Sequence, residues 1–207
     1  MFKLPLSFVT DQYTKLPIVP TKTTCAGKTF IVTGANTGLG FEATKHLVSF
    51  SPSRVILAVR SIKNGEAAKA KIEAATGKKG IAEVWQLDLS SYDSVKAFGN
   101  KVQGLGRLDA IIENASVALS VWSPSEGLET SLTVNVTGTF LLAAMVLQKL
   151  KDTAKMTGEK THLTVIGSGA GFMAVGKLEK YEGDILDSMS VKNTPMEDRY
   201  GFLAQIV

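Results

Sequence analysis

The residues best placed to do chemistry come in one run, Thr33-Gly34-Ala35-Asn36-Thr37-Gly38-Leu39-Gly40. Gly34 permits a tight turn, Gly38 removes the Cβ that would keep a diphosphate off the backbone, and Gly40 allows close packing of whatever follows. If a helix opens here, its first N–H groups and the positive end of its dipole face the anion. Gly34, Asn36, Thr37, Gly38, Leu39 and Gly40 are therefore candidate dinucleotide contacts. No Gly-Lys-Ser/Thr follows, which excludes a phosphate loop of the nucleotide-hydrolase kind. The glycine spacing, three residues and then one, also differs from GxGxxG. About 20 residues further on, an acidic side chain would bond the ribose hydroxyls of NAD. This chain has Arg60 there, beside Ser61. A guanidinium grips a 2′-phosphate through paired hydrogen bonds, so NADP(H) is the expected cofactor. A surface arginine ending a strand is the plainer reading, and it stays open.

These residues need a frame. Lys28–Thr33, Arg54–Arg60, Ile81–Leu87, Leu108–Ile112 and His162–Ile166 read as strands. Several are apolar almost throughout, as strands are when helices cover both faces of a parallel sheet. Between them, helices are expected over Gly40–Phe50, Lys63–Ala75, from the capping box at Ser90–Asp93 to Val102, and over Glu126–Lys151. Alternating strands and helices predict an α/β fold with a doubly wound parallel sheet, the Rossmann arrangement, spanning residues 27–207. Residues 1–26, with Pro5, Pro17 and Pro20, read as an arm lying on that domain. Residues 174–196 read as irregular, either an excursion near a substrate site or a plain loop.

Composition narrows the class. The chain has 207 residues, 44% hydrophobic and 20% charged, enough for a core and unlike a disordered segment. The net charge is +4, but the lysines are scattered. The densest group, Lys63 to Lys79, is spaced like a solvated helix face, so no nucleic-acid partner is expected. Cys25 is the single cysteine, which excludes an intrachain disulfide and suits a reducing compartment. Pro5 interrupts the apolar N-terminus, and the most apolar stretch, Phe140–Leu147, falls short of the ~18–20 residues of a membrane span. A cytoplasmic protein with no membrane span is expected. His46 and His162 lack a second ligand at metal spacing, so no metal site is expected.

From Lys28 to Gly171 the residues resemble the short-chain dehydrogenase/reductase family. TGANTGLG resembles that family's TGxxxGxG turn. Asp88-Leu89 resembles the acidic pair after strand three, whose Asp bonds near the adenine. Asn114-Ala115-Ser116 is similar to the family's NNAG element, with Glu113 and Ser116 departing from it. Asn135 stands where the family keeps a helix asparagine that holds a water in a proton relay. Ser168 stands where its catalytic serine follows strand five. TGANTGLGFEATKHL and LAVRSIKNGEAAKAKI are most similar to the branch of retinol dehydrogenase-like enzymes and reductases of fungal secondary metabolism.

The resemblance implies hydride transfer between nicotinamide and a carbonyl or alcohol carbon of a small molecule. Ser168 would hold the substrate oxygen, Tyr200 would pass the proton, and Asn135 would stand behind them; Asp88, Leu89, Asn114 and Ala115 would line the cofactor. Relatives often pair as homo-oligomers. The family's tyrosine is followed four residues later by a lysine, and here that position is Ala204. An unassisted tyrosine has a pKa of about 10 and is poorly tuned for proton transfer at neutral pH. Two expectations follow: the sequence is a truncated or altered version of a longer reductase, incomplete on the C-terminal side of its sheet, or it is a short dinucleotide-binding module without catalytic power.

Overall fold

The computed structural model describes residues 10, 13–15, 17, 19–168 and 183–194. Strands β1 (Thr29–Thr33), β2 (Arg54–Val59), β3 (Ala82–Gln86), β4 (Ala110–Glu113) and β7 (His162–Val165) form one parallel sheet in the order β3-β2-β1-β4-β7. Between them run helices α1 (Gly38–Ser49), α2 (Ile62–Thr76), α3 (Tyr92–Gln103) and α4 (Thr130–Thr157), with α5 (Ile185–Ser190) after β7. The doubly wound sheet read from the sequence is the fold observed.

Strand alternation explains why the strands carry so few polar residues. Ile31, Ile56 and Ile111 point to a face covered by α3 and α4, where Val95, Phe98, Leu142 and Val146 complete the packing. Phe30, Val32, Val55 and Leu57 point to the other face, against Leu47 and Val48 of α1 and Ala68 and Ile72 of α2. Both faces exclude water, so neither set of positions tolerates charge. Cys25 is buried in the second of these layers, in a one-turn helix over Lys22–Cys25 capped by Thr21, so the end of the expected arm packs on the domain.

The chain leaves β1 toward β2 and β3, then crosses back to β4. A crevice therefore opens beyond the carboxyl ends of β1 and β4, the place where open α/β sheets hold their ligands. The Gly-rich turn and the segment after β4 both lie there.

Three elements differ from the sequence reading. The long helix starts at Thr130 rather than Glu126, because Pro124–Ser125 and Leu128–Glu129 pair as a small hairpin, β5 and β6. Its turn uses positive φ at Glu126 (50°) and Gly127 (82°). Glu129 then caps α4, its carboxylate accepting from the Ser131 and Leu132 N–H groups. Residues 133–138 are wound as a π-helical turn inside α4. Helix α5 stands within the stretch expected to be irregular, capped by Asp184. By length and composition α4 could cross a bilayer, which the shorter stretch Phe140–Leu147 did not suggest, but half of its most apolar window is buried and it packs on α3.

On the other side, β7 is the sheet's edge among the described residues. His162, Leu163 and Thr164 are exposed along it.

Gly138 is where α4 touches the loop after β3. A Cβ there would stand 2.3 Å from the Leu89 carbonyl oxygen and 2.8 Å from that of Thr133. Both are backbone atoms and cannot swing away. Alanine gains about 1 kcal/mol of helix propensity, less than the cost of such overpacking. Gly138→Ala is expected to lower stability by about 2 kcal/mol in urea unfolding; an unchanged or higher midpoint would contradict this contact.

Candidate functional site

The site is assembled by Thr33, the last residue of β1. Its buried hydroxyl accepts hydrogen bonds from the N–H groups of both Asn114 and Ala115, each at 2.9 Å. The Asn114 amide closes the contact by donating from Nδ2 to the Thr33 carbonyl at 3.0 Å. The ends of β1 and β4 are thereby fixed to each other just where the Gly-rich turn begins.

The turn fills the space above this clamp. Gly34 adopts φ +65°, and a Cβ on it would stand 3.0 Å from Ala115 Cα. A Cβ on Gly40 would meet Asn114 Nδ2 at 2.5 Å and the Gly34 carbonyl oxygen at 2.6 Å. Gly40 therefore packs the turn against the β4 loop rather than against the sheet face. Gly38, at φ +57°, opens α1 and has nothing within 4 Å of its Cβ position, which leaves the backbone accessible from outside. Thr37 gives α1 no side-chain cap and the first turn has no acidic residue, so the helix's leading N–H groups and positive dipole end are available to an anion.

A cavity of about 210 Å³ lies beside the turn. Of the expected contacts, Gly34, Asn36, Arg60, Asp88, Leu89 and Ala115 line it. Thr37, Gly38, Leu39, Gly40 and Asn114 do not; Leu39 is exposed at the start of α1, and Asn114 serves as the clamp. The sequence reading did not assign Asn64, Ser116, Val117 and Val134 to the lining. Val134 carries no sequence signal of its own beyond its place next to Asn135.

Arg60, which follows β2 and lines the cavity, is exposed, with no acidic partner within 4 Å among the described residues. Ser61 caps α2 by accepting from the Asn64 N–H, and the first turn of α2 carries no acid either. A free guanidinium beside an uncompensated helix start favours a phosphate. Asp88 is held by Ser90, whose N–H and hydroxyl both donate to Oδ1 at 2.9 and 2.6 Å.

Asn135 lies in the π-helical turn. Its Nδ2 donates to the Val117 carbonyl at 2.8 Å, and its Oδ1 accepts from the Val117 N–H at 2.9 Å. The amide therefore fastens the loop after β4 to α4. Ser168 is exposed, three residues beyond the end of β7. Tyr200 and Ala204 lie outside the described residues. Among those described, no group of His, Cys, Asp and Glu could hold a metal ion.

Glu113 was noted in sequence only as a departure. The residue is 3% exposed, and neither carboxyl oxygen has a hydrogen-bond partner among the described residues. Burial pushes its pKa up to about 8. The neutral acid is thus the form that fits at pH 7.

Residues 28–183 match the family model described as short chain dehydrogenase. The chain is 41% identical over 172 residues to the short chain dehydrogenase/reductase dmxR8 of Cryptosporiopsis sp. (strain 8999), covering 82% of this chain and 53% of that one. It is 43% identical over 169 residues to the short chain dehydrogenase sol3 of Alternaria solani, covering 81% and 59%. The chain thus spans a little over half the length of these relatives. Among solved structures, a short-chain dehydrogenase from Sphingobium yanoikuyae in complex with NADPH superposes with a TM-score of 0.60 at 23% identity, over 80% of this chain and 61% of that one. NAD+-bound xylitol dehydrogenase gives 0.60 at 22% identity, over 87% and 60%.

Two outcomes are expected. Thr33→Val keeps the shape but leaves two N–H groups without their acceptor, at about 1–3 kcal/mol each. It should lower stability by about 2–6 kcal/mol in urea unfolding, and a loss below about 0.5 kcal/mol would show that the clamp matters little. The folded protein keeps the Glu113 proton up to pH about 8, while the unfolded chain releases it near the ordinary value of 4.5. Unfolding therefore releases a proton between those values, and this residue's contribution falls by about 1.4 kcal/mol per pH unit as pH rises, then levels off. The stability of Glu113→Gln relative to the parent should rise from about pH 5 to about pH 8 and be flat beyond; a constant difference across that window would contradict a buried neutral acid.

Proposed function

The chain belongs to the short-chain dehydrogenase family, and on that premise we propose that it binds NADP(H) and serves a reductase acting on a small carbonyl or alcohol substrate. The observation that carries the cofactor reading is the position of Arg60. It borders the same cavity as Gly34 and Asp88, without an acidic partner among the described residues, where a carboxylate would select NAD. In this reading the diphosphate rests on the backbone of residues 34–40, the adenosine lies between Arg60 and Asp88, and the 2′-phosphate meets Arg60, with Ser61 and Asn64 beside it.

When bound, the dinucleotide supplies the hydride donor or acceptor. The rest is done by side chains. Ser168 holds the substrate oxygen by hydrogen bonding, and Tyr200 gives or takes the proton on that oxygen. Asn135, by fastening Val117 to α4, keeps the loop between cofactor and substrate in place. The substrate class follows from the resemblance to reductases of fungal secondary metabolism. Self-association through α4 belongs to the same proposal, with Phe140 and Leu147 exposed on it.

Ala204, four residues after Tyr200, supports a second reading: a module that binds the dinucleotide without turning over substrate. NADPH binding with no consumption against a panel of ketones would favour the module. Consumption that is lost in Ser168→Ala would favour the enzyme.

Arg60→Ala tests the cofactor reading directly. Loss of a paired, charge-assisted contact costs about 1.5–3 kcal/mol, so NADPH affinity should fall roughly 10- to 100-fold while NADH affinity stays within about twofold. Calorimetric titration with both dinucleotides measures this. Equal losses, or none, would remove Arg60 from the 2′-phosphate.

A further inference from the structure

A buried carboxyl with both oxygens unpaired is costly, and a chain that keeps one invites a functional explanation. Glu113 ends β4 opposite Val165 of β7, and its carbonyl accepts from the Ile166 N–H at 2.9 Å. Strand alternation puts its side chain on the same face as Ile111, toward the layer containing Val134, Leu142 and Val146. Val134 belongs to that layer and also lines the cavity. The next two residues, Asn114 and Ala115, form the clamp on Thr33, and Val117 is tied to Asn135. The carboxyl thus lies in a dry layer directly beneath the loop that walls the cavity.

No described charge answers it. Strand β1 has no titratable residue, and His162 lies at the opposite end of β7. On α3, Lys96 pairs with Asp93 and Lys101 lies over the Trp85 ring, while the Tyr92 hydroxyl bonds Thr137. On α4, Glu129 caps its own first turn, Lys149 donates to the Leu105 carbonyl, Asp152 accepts from Gln148, and Lys151 and Lys155 lie toward the helix's far end. Burial alone raises the carboxyl's pKa.

We propose that Glu113 is a positioning residue for the dinucleotide site: as a neutral acid it supports the Asn114–Val117 loop, and when ionised it loosens that loop's hold on Thr33 and repels the anionic cofactor. The proposal rests on the dinucleotide reading above. Two effects act in the same direction. A buried carboxylate seeks water and pulls at the segment that holds the cavity wall, and its charge acts through a poorly screened interior on the cofactor's phosphates.

The test is NADPH titration of the full 207-residue chain by fluorescence, near pH 7 and near pH 9.5, alongside amide hydrogen exchange without cofactor. One uncompensated buried charge should weaken NADPH binding roughly tenfold at the higher pH in the parent protein, and by less than about twofold in Glu113→Gln. Exchange protection at Asn114, Ala115 and Val117 should fall over the same range in the parent and hold in the variant, after correction for intrinsic rates. Glu113→Met carries the same expectation should the glutamine variant fail to fold. Equal pH dependence in parent and variant, in binding or in exchange, overturns the proposal. If neither protein binds a dinucleotide at either pH, the functional reading fails, and the exchange profile still decides whether Glu113 holds the loop.

Discussion

Everything in this site depends on one hydroxyl accepting two bonds. The N–H groups of Asn114 and Ala115 converge on Thr33 Oγ1, so the carboxyl ends of β1 and β4 cannot separate. The parallel sheet creates the crevice, but a crevice alone would not hold a glycine turn at contact distance from the next loop. Gly34 and Gly40 make that closeness possible, since any side chain there would collide with Ala115, Asn114 or the turn itself. The consequence is a short, rigid edge from which the start of α1 presents unpaired N–H groups outward. A second clamp, Asn135 on Val117, extends the same rigidity to the rest of the loop after β4.

Much of this was legible from residues alone. The strands were readable because both faces of the sheet are dry, so Phe30–Val32 and Val55–Val59 are apolar without alternation. The turn was readable because glycine at three fixed positions follows a strand. What escaped depends on distant partners. Asn114 and Asn135 were found as types, but their amides are spent on backbone 81 and 18 residues away in sequence, which no local pattern reveals. Glu113 carries no sign of burial in sequence, because a charged residue at a strand end normally faces water. The helix expected from Glu126 overlaps the hairpin's turn and β6 although Pro124 and Glu126-Gly127 are turn signals; two-residue strands give no periodicity to read. Helix α5 had one usable signal, the N-capping Asp184.

The division of the chain follows the same logic. Both packed layers and both clamps lie within residues 25–168. Around α5, Met189 packs with Leu132 and Val136 of α4, while the Trp122 indole donates to the Ser190 carbonyl at 3.0 Å. These contacts brace the π-helical turn that carries Asn135. The relatives dmxR8 and sol3 are matched over only 53% and 59% of their length.

If backbone amides between residues 33 and 40 form an anion seat for a dinucleotide, NADPH titration of the isotope-labelled chain will move their amide resonances. Saturable shifts are expected at Gly34, Asn36, Gly38 and Gly40, accompanied by Ala115 and Ser116, with the far ends of the strands unmoved. A folded protein whose spectrum ignores NADPH and NADH at millimolar concentration, or responds only away from this turn, would contradict it.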